Sequence, residues 1–202
     1  MTDPRPYASL RAKGEDRRQR ILEVAQRLLT RNGWRSTTLA QIAGEAGVSP
    51  AGLLHHFQSK DQLLHAVLDA RDADDAADTD LSGDLVVEIR KVADRMERSP
   101  DLVGTFVVLL VENLVPEAPL HDRMLDRWKV AVGIVADIIR RNQETGRYRA
   151  DVDPDIRAME IVAFINGMEM SWLLDHSIPL PEVFAEYTKS LARDLAPDDP
   201  VN

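Results

Sequence analysis

Residues 33–64 read GWRSTTLAQIAGEAGVSPAGLLHHFQSKDQLL, and this stretch decides the fold. Thr38 stands three residues before Gln41, the spacing at which an N-cap hydroxyl and a side-chain amide satisfy each other's end of a helix. Leu39, Ile42, Ala43 and Ala46 then make a short apolar stripe closed by Gly47. Ser49 offers a cap for the next helix, and Pro50 occupies a first-turn position where a missing N–H costs nothing, so a helix is expected from Pro50 to about Phe57. Ser59 and Gln62 repeat the capping spacing and open a further helix bearing Leu63, Leu64, Val67 and Leu68. Two short helices joined through Ala46-Gly47-Val48-Ser49 are a helix-turn-helix, because Gly47 permits the turn between them.

That arrangement lays its second helix in the DNA major groove, N-terminal residues at the base edges, while the first crosses the backbone. A helix N-terminus carries partial positive charge and free N–H groups, so Thr37, Thr38 and Gln41 are candidate phosphate neighbours. Ser49, Pro50, Ala51 and Gly52 are small enough for close approach, and His55, His56 and Lys60 can donate to phosphate oxygens. A helical hairpin inside a bundle would also use a glycine turn and short caps, and a surface or packing role competes with DNA contact for each histidine.

The stretch is similar to the DNA-binding signature of TetR/AcrR-type transcriptional regulators. The likeness runs from Ile21 to Leu68, with Thr38, Ile42-Ala43, Ala46-Gly47-Val48-Ser49, His56-Phe57, Lys60 and Leu63-Leu64 at the family's spacing. The resemblance implies a three-helix DNA-binding domain ahead of a larger helical domain that binds small molecules and dimerises. It implies that Thr38 and Lys60 hold phosphates, that Ser49 to Gly52 face bases, and that Phe57 packs the motif. Where the family usually has a Tyr that touches the DNA backbone, this chain has Leu54, so that contact is absent or comes from His55.

Outward from the motif, charge is uneven. Through residue 65 ten basic residues face six acidic ones, a net of +4, although the whole chain of 202 residues carries −9. A basic module on an acidic body can grip a polyanion with one end only, though modest asymmetry is common on ordinary surfaces. Upstream, Ile21, Leu22, Ala25, Leu28 and Leu29 form one helical face stopped at Asn32-Gly33. Residues 1–14 hold two prolines, Arg5, Arg11 and Lys13 without an apolar period, and are expected as a mobile basic arm.

Downstream, seven aspartates fall between Asp69 and Asp84, compatible with a solvated helix end and loop; no metal site and no cofactor are expected. Five further helices follow, punctuated by Ser99-Pro100, Pro116, Pro119, Gly146 and Asp153-Pro154. The expected architecture is therefore all-α with about nine helices: an arm over 1–14, a helix-turn-helix domain over 15–65, and an effector-binding and dimerisation domain over 66–202. An effector pocket would be lined by Met96, Phe106, Leu109, Leu110 and Asn113 from the middle helices and by Trp128, Met168, Glu169 and Trp172 from the later ones, although Trp and Met at helical spacing are commonly plain core. The helix containing the run Ile161 to Ile165 is apolar over most of its circumference and must be buried on two sides, and Gly167 would admit a close neighbour. With the resemblance, this gives a homodimer face of Ile161, Ile165, Gly167, Phe184, Tyr187 and Leu191.

Composition excludes several classes. Cysteine is absent, which removes disulfides, thiolate catalysis and Cys-based zinc sites. The N-terminus lacks a signal-peptide core, and the longest apolar run, Phe106 to Val111, is too short for a bilayer, so a cytoplasmic protein without membrane contact is expected. No nucleophile elbow, phosphate-cradling glycine loop or His-Glu-x-x-His supports an enzyme. The expected function is a sequence-specific regulator on a near-palindromic double-stranded DNA operator, a repressor released by a small-molecule effector. A transcriptional activator of the same fold and a helical interaction protein without DNA binding stand as alternatives.

Overall fold

The computed structural model describes residues 5–77, 80 and 83–197, and for residues 5–12 and 74–77 the backbone alone. Nine α-helices and no strand occur among the described residues. The chain divides into two compact units, Met1–Asp74 and Asp75–Asn202. That division lies within a helix, downstream of the boundary at 65/66 expected from the sequence.

In the first unit, α1 (Arg5–Ser36) runs to a break at Gly33, whose φ of 74° and ψ of 169° end the regular helix. Residues 5–14 are thus helical instead of forming an irregular arm, while residues 1–4 lie outside the described residues. The reason is local: Ala8, Leu10, Arg11, Ala12 and Lys13 all favour helix, and Pro6 sits in the first turn, where proline is tolerated. Helix α2 (Leu39–Glu45) starts on Thr38, and the reciprocal capping box with Gln41 is present. Gly47, at φ 67°, makes the left-handed turn that a side-chain-bearing residue would resist. Helix α3 (Pro50–His56) begins on Ser49, whose Oγ accepts the Gly52 amide at 3.0 Å. Helix α4 (Lys60–Ala77) is capped by Ser59 Oγ, which accepts the Gln62 amide at 3.0 Å; the Gln62 side chain reaches back to the Gln58 amide, one residue before the expected partner. Ile21, Leu22, Ala25, Leu28, Leu29, Ile42, Ala43, Ala46, Leu53, Phe57, Leu63, Leu64, Val67 and Leu68 are buried, whereas Leu39 at the start of the α2 stripe is half-buried.

The second unit contains α5 (Leu85–Arg98), α6 (Pro100–Glu112), α7 (His121–Glu144), α8 (Pro154–Leu174) and α9 (Leu180–Leu195). Asp153 caps α8 by accepting the Asp155 and Ile156 amides at 2.9 and 3.1 Å. Helix α7 packs along α8, and α5 along α9. Arg140 on α7 holds Asp155 on α8 at 2.6 Å. Leu85, Ile89, Met96, Ile139, Ile161, Trp172, Phe184 and Leu191 belong to one core, with the Phe164 ring stacked on Tyr187 at 3.6 Å beside it.

Candidate nucleic-acid interface

Helix α3 is seated by one face. Leu53 and, at its end, Phe57 are buried, whereas Ser49, Pro50, Ala51, Leu54 and His55 are exposed and Gly52 and His56 are half-buried. Phe57 packs the motif as expected and also receives the Arg18 guanidinium, 5.2 Å from its ring centroid. The His55 and His56 rings meet edge to face at 5.6 Å. Close space is used at Gly52, where an added Cβ would stand 3.1 Å from Ser49 Oγ.

At the start of α2, Thr38 and Gln41 are exposed, and their side chains satisfy each other and the helix end: Thr38 Oγ1 accepts the Gln41 amide at 3.2 Å, and Gln41 Oε1 accepts the Thr38 amide at 2.9 Å. Thr37 is different. Its side chain is fully buried, and its hydroxyl lies 2.8 Å from the Gly33 carbonyl and 3.3 Å from that of Leu28. The candidate phosphate contact by the Thr37 side chain is therefore corrected: the hydroxyl fastens the α1–α2 turn, and burial of a polar group demands such internal partners.

Lys60 is half-buried. Its ammonium donates to the Trp34 carbonyl at 2.5 Å and lies 3.8 Å from the centroid of the Trp34 ring. The sequence singled out Lys60 and missed Trp34; the one available signal was an aromatic next to the helix-ending Gly33. Basic side chains on α1 remain at the surface, among them Lys13, Arg17, Arg20, Arg31 and Arg35, and Arg27 links to Glu45 on α2 at 3.3 Å.

In the second unit the candidate effector residues separate. Met96 and Trp172 are buried in one core with Met168 packed against it; Phe106, Leu109 and Glu169 are also buried, and Leu110 is half-buried. The Arg127 guanidinium lies 4.9 Å from the Phe106 ring centroid. Trp128 is exposed on α7 and so lies at the surface, not in an interior wall. Asn113 is buried but already committed: Nδ2 donates to the Leu109 carbonyl at 2.7 Å and Oδ1 accepts the Leu120 amide at 3.1 Å. That amide closes the loop holding Pro116 and Pro119, a structural task that accounts for a polar side chain in an apolar wall.

The expected dimer face also needs correction. Ile161, Phe184 and Leu191 are buried in the core of their own unit, and Ile165 and Tyr187 pack half-buried against it. The surface of α8 instead carries Ile156, Met159, Ala163, Gly167, Met170 and Leu174, all exposed. They recur at steps of three and four residues, one helical stripe. Gly167 is the single expected residue on it, and nothing lies within 4 Å of where its Cβ would be. Among the described residues no three His, Asp or Glu side chains are grouped to hold a metal ion, and no helix is long and apolar enough to cross a membrane.

Comparison with known proteins places this geometry. Residues 21–67 match the family of bacterial regulatory proteins of the tetR type. The chain is 28% identical over 151 residues to the HTH-type transcriptional repressor AcnR of Corynebacterium diphtheriae, covering 75% of this chain and 78% of the repressor. In fold it is similar to the SmeT–triclosan complex, with a TM-score of 0.74 and 19% identity over 87% of this chain and 91% of the other. It is likewise similar to NalD, the secondary repressor of the MexAB-OprM multidrug efflux pump in Pseudomonas aeruginosa, with a TM-score of 0.72 and 22% identity over 93% and 100% of the two chains.

Proposed function

We propose that this chain, whose residues 21–67 match the tetR family of bacterial regulatory proteins, is a DNA-binding transcriptional regulator: a cytoplasmic repressor, working as a homodimer and released from its operator by a small molecule. The observation that carries the DNA reading is the seating of α3: Leu53 and Phe57 anchor one side while Ser49, Pro50, Ala51, Leu54 and His55 stand free in solvent. A recognition helix needs that division, because it must be held firmly and still offer a face to base edges. Surface arginines of α1 supply the sequence-independent attraction to phosphates.

The exposed stripe of α8 supports the dimer. A helix whose two apolar sides are split between its own core and open solvent needs a second surface to cover the outer one, and a two-fold pairing covers both copies alike. A symmetric pair presents two recognition helices to half-sites about 34–36 Å apart, which is why the operator is expected to be near-palindromic. The small-molecule reading draws on the name of a structural relative, a complex with triclosan, and on the buried Phe106, Trp172 and Glu169 of the second unit. An effector acts by binding more tightly to the conformer in which the paired helices no longer fit successive grooves.

The test is binding of the purified protein to duplexes enriched from genomic DNA, followed by fluorescence anisotropy across salt concentrations. Affinity is expected to fall linearly on logarithmic axes with a slope of about −0.9 per phosphate neutralised. A salt-insensitive or absent interaction would overturn the reading and favour a helical interaction protein.

A further inference from the structure

Resting on that DNA-binding reading, we infer that α3 recognises thymine by its 5-methyl group, with Ala51 and Leu54 as the specificity-determining contacts. The helix sequence is PAGLLHH. It contains no Arg, Lys, Asn or Gln, the side chains that form paired hydrogen bonds to guanine or adenine in the major groove. Ser49 ahead of it uses Oγ to accept the Gly52 amide and keeps a single O–H donor, too few for a paired contact with a base edge. His55 is the remaining exposed polar side chain of the helix. What the outer face offers is apolar: Pro50, Ala51 and Leu54, the last 46% exposed.

Ala51 and Leu54 are three positions apart and so lie side by side on that face. A leucine half in water is unremarkable alone, but this one sits on a short helix whose opposite side is anchored by Leu53 and Phe57. In the major groove the thymine methyl is the apolar group with which Ala-type side chains pair. Docking Ala51 and Leu54 on it removes apolar surface from water on both partners. Docking the same face on the polar edge of guanine or cytosine strips those groups of water and returns no hydrogen bond, which is unfavourable. Discrimination thus comes from both the attraction and the penalty.

The experiment uses the full-length protein and duplexes it enriches from a random-sequence library. Each thymine of the enriched half-site is replaced in turn by deoxyuridine, which removes the methyl and keeps every hydrogen-bonding group. Affinity is measured by anisotropy at one fixed salt concentration. At one or more thymines the replacement is expected to weaken binding about fourfold, the size expected for a methyl-sized group left in water. Against Leu54→Ala or Ala51→Gly the same replacement is expected to cost much less at the thymine that the missing group had touched. Uridine tolerated at every position, or a penalty of equal size in the parent and both variants, overturns the inference while leaving DNA binding intact. Failure to enrich any duplex overturns the DNA-binding reading itself, and this inference with it.

Discussion

Lys60 holds Trp34 twice, through the carbonyl at 2.5 Å and across the ring at 3.8 Å, so the end of α1 is tied to the start of α4. A charge-assisted hydrogen bond and a cation–π contact together predict that Lys60→Ala lowers stability by about 1–2 kcal/mol, checked by urea denaturation. Trp34→Leu is expected to lose part of the same energy, and the double variant less than the sum, because the two residues share one interaction. An unchanged denaturation midpoint, with the salt slope of DNA binding reduced by about one phosphate, would instead return Lys60 to the purely electrostatic role that the family resemblance implies. Lys60 was legible in the sequence by its place in the motif; its partner was not, because Trp34 lies 26 positions away and spacing does not report which side chains converge. Asn113 and Thr37 show the same blindness: a polar residue in an apolar setting reads alike whether it awaits a ligand or is satisfied by a backbone carbonyl.

Among the elements, α2 and α3 span seven residues each, too short to hold helical shape by themselves, so their ends carry disproportionate weight. Thr38→Ala removes the hydroxyl that takes the Gln41 amide and is expected to cost about 1 kcal/mol, read as a lowered thermal midpoint, with a Ser replacement restoring it. Helix starts were legible where the sequence marks them with capping chemistry, at Thr38, Ser49-Pro50, Ser59 and Asp153-Pro154, whereas the Asp84 cap was hidden in a run of aspartates that read as loop. The N-terminal extension of α1 was hidden because its prolines and charges look like arm, although a first-turn proline and straight side chains suit helix equally well. In α8 periodicity could not choose between two apolar sides. The structure turns Ile161 and Val162 inward and Met159 and Met170 outward, so of the α8 residues expected on a partner-facing side only Gly167 lies on the outward one.

For the whole molecule, Gly167→Arg is the decisive variant for assembly. Its Cβ would meet open space, so the subunit is expected to keep its melting temperature and helical content while light scattering shows the mass halved. An unchanged mass would refute pairing through this helix. The outward strip of α8 has a further consequence. With Leu174 at 89% exposure and Ile156 at 58%, a newly made copy would, under the proposed pairing, be a greasy object until it met its twin. Under the proposed pairing, twinning follows mass action, so occupancy of the operator would grow with the square of abundance when copies are few, and a modest dip in synthesis would release the target genes abruptly instead of in proportion.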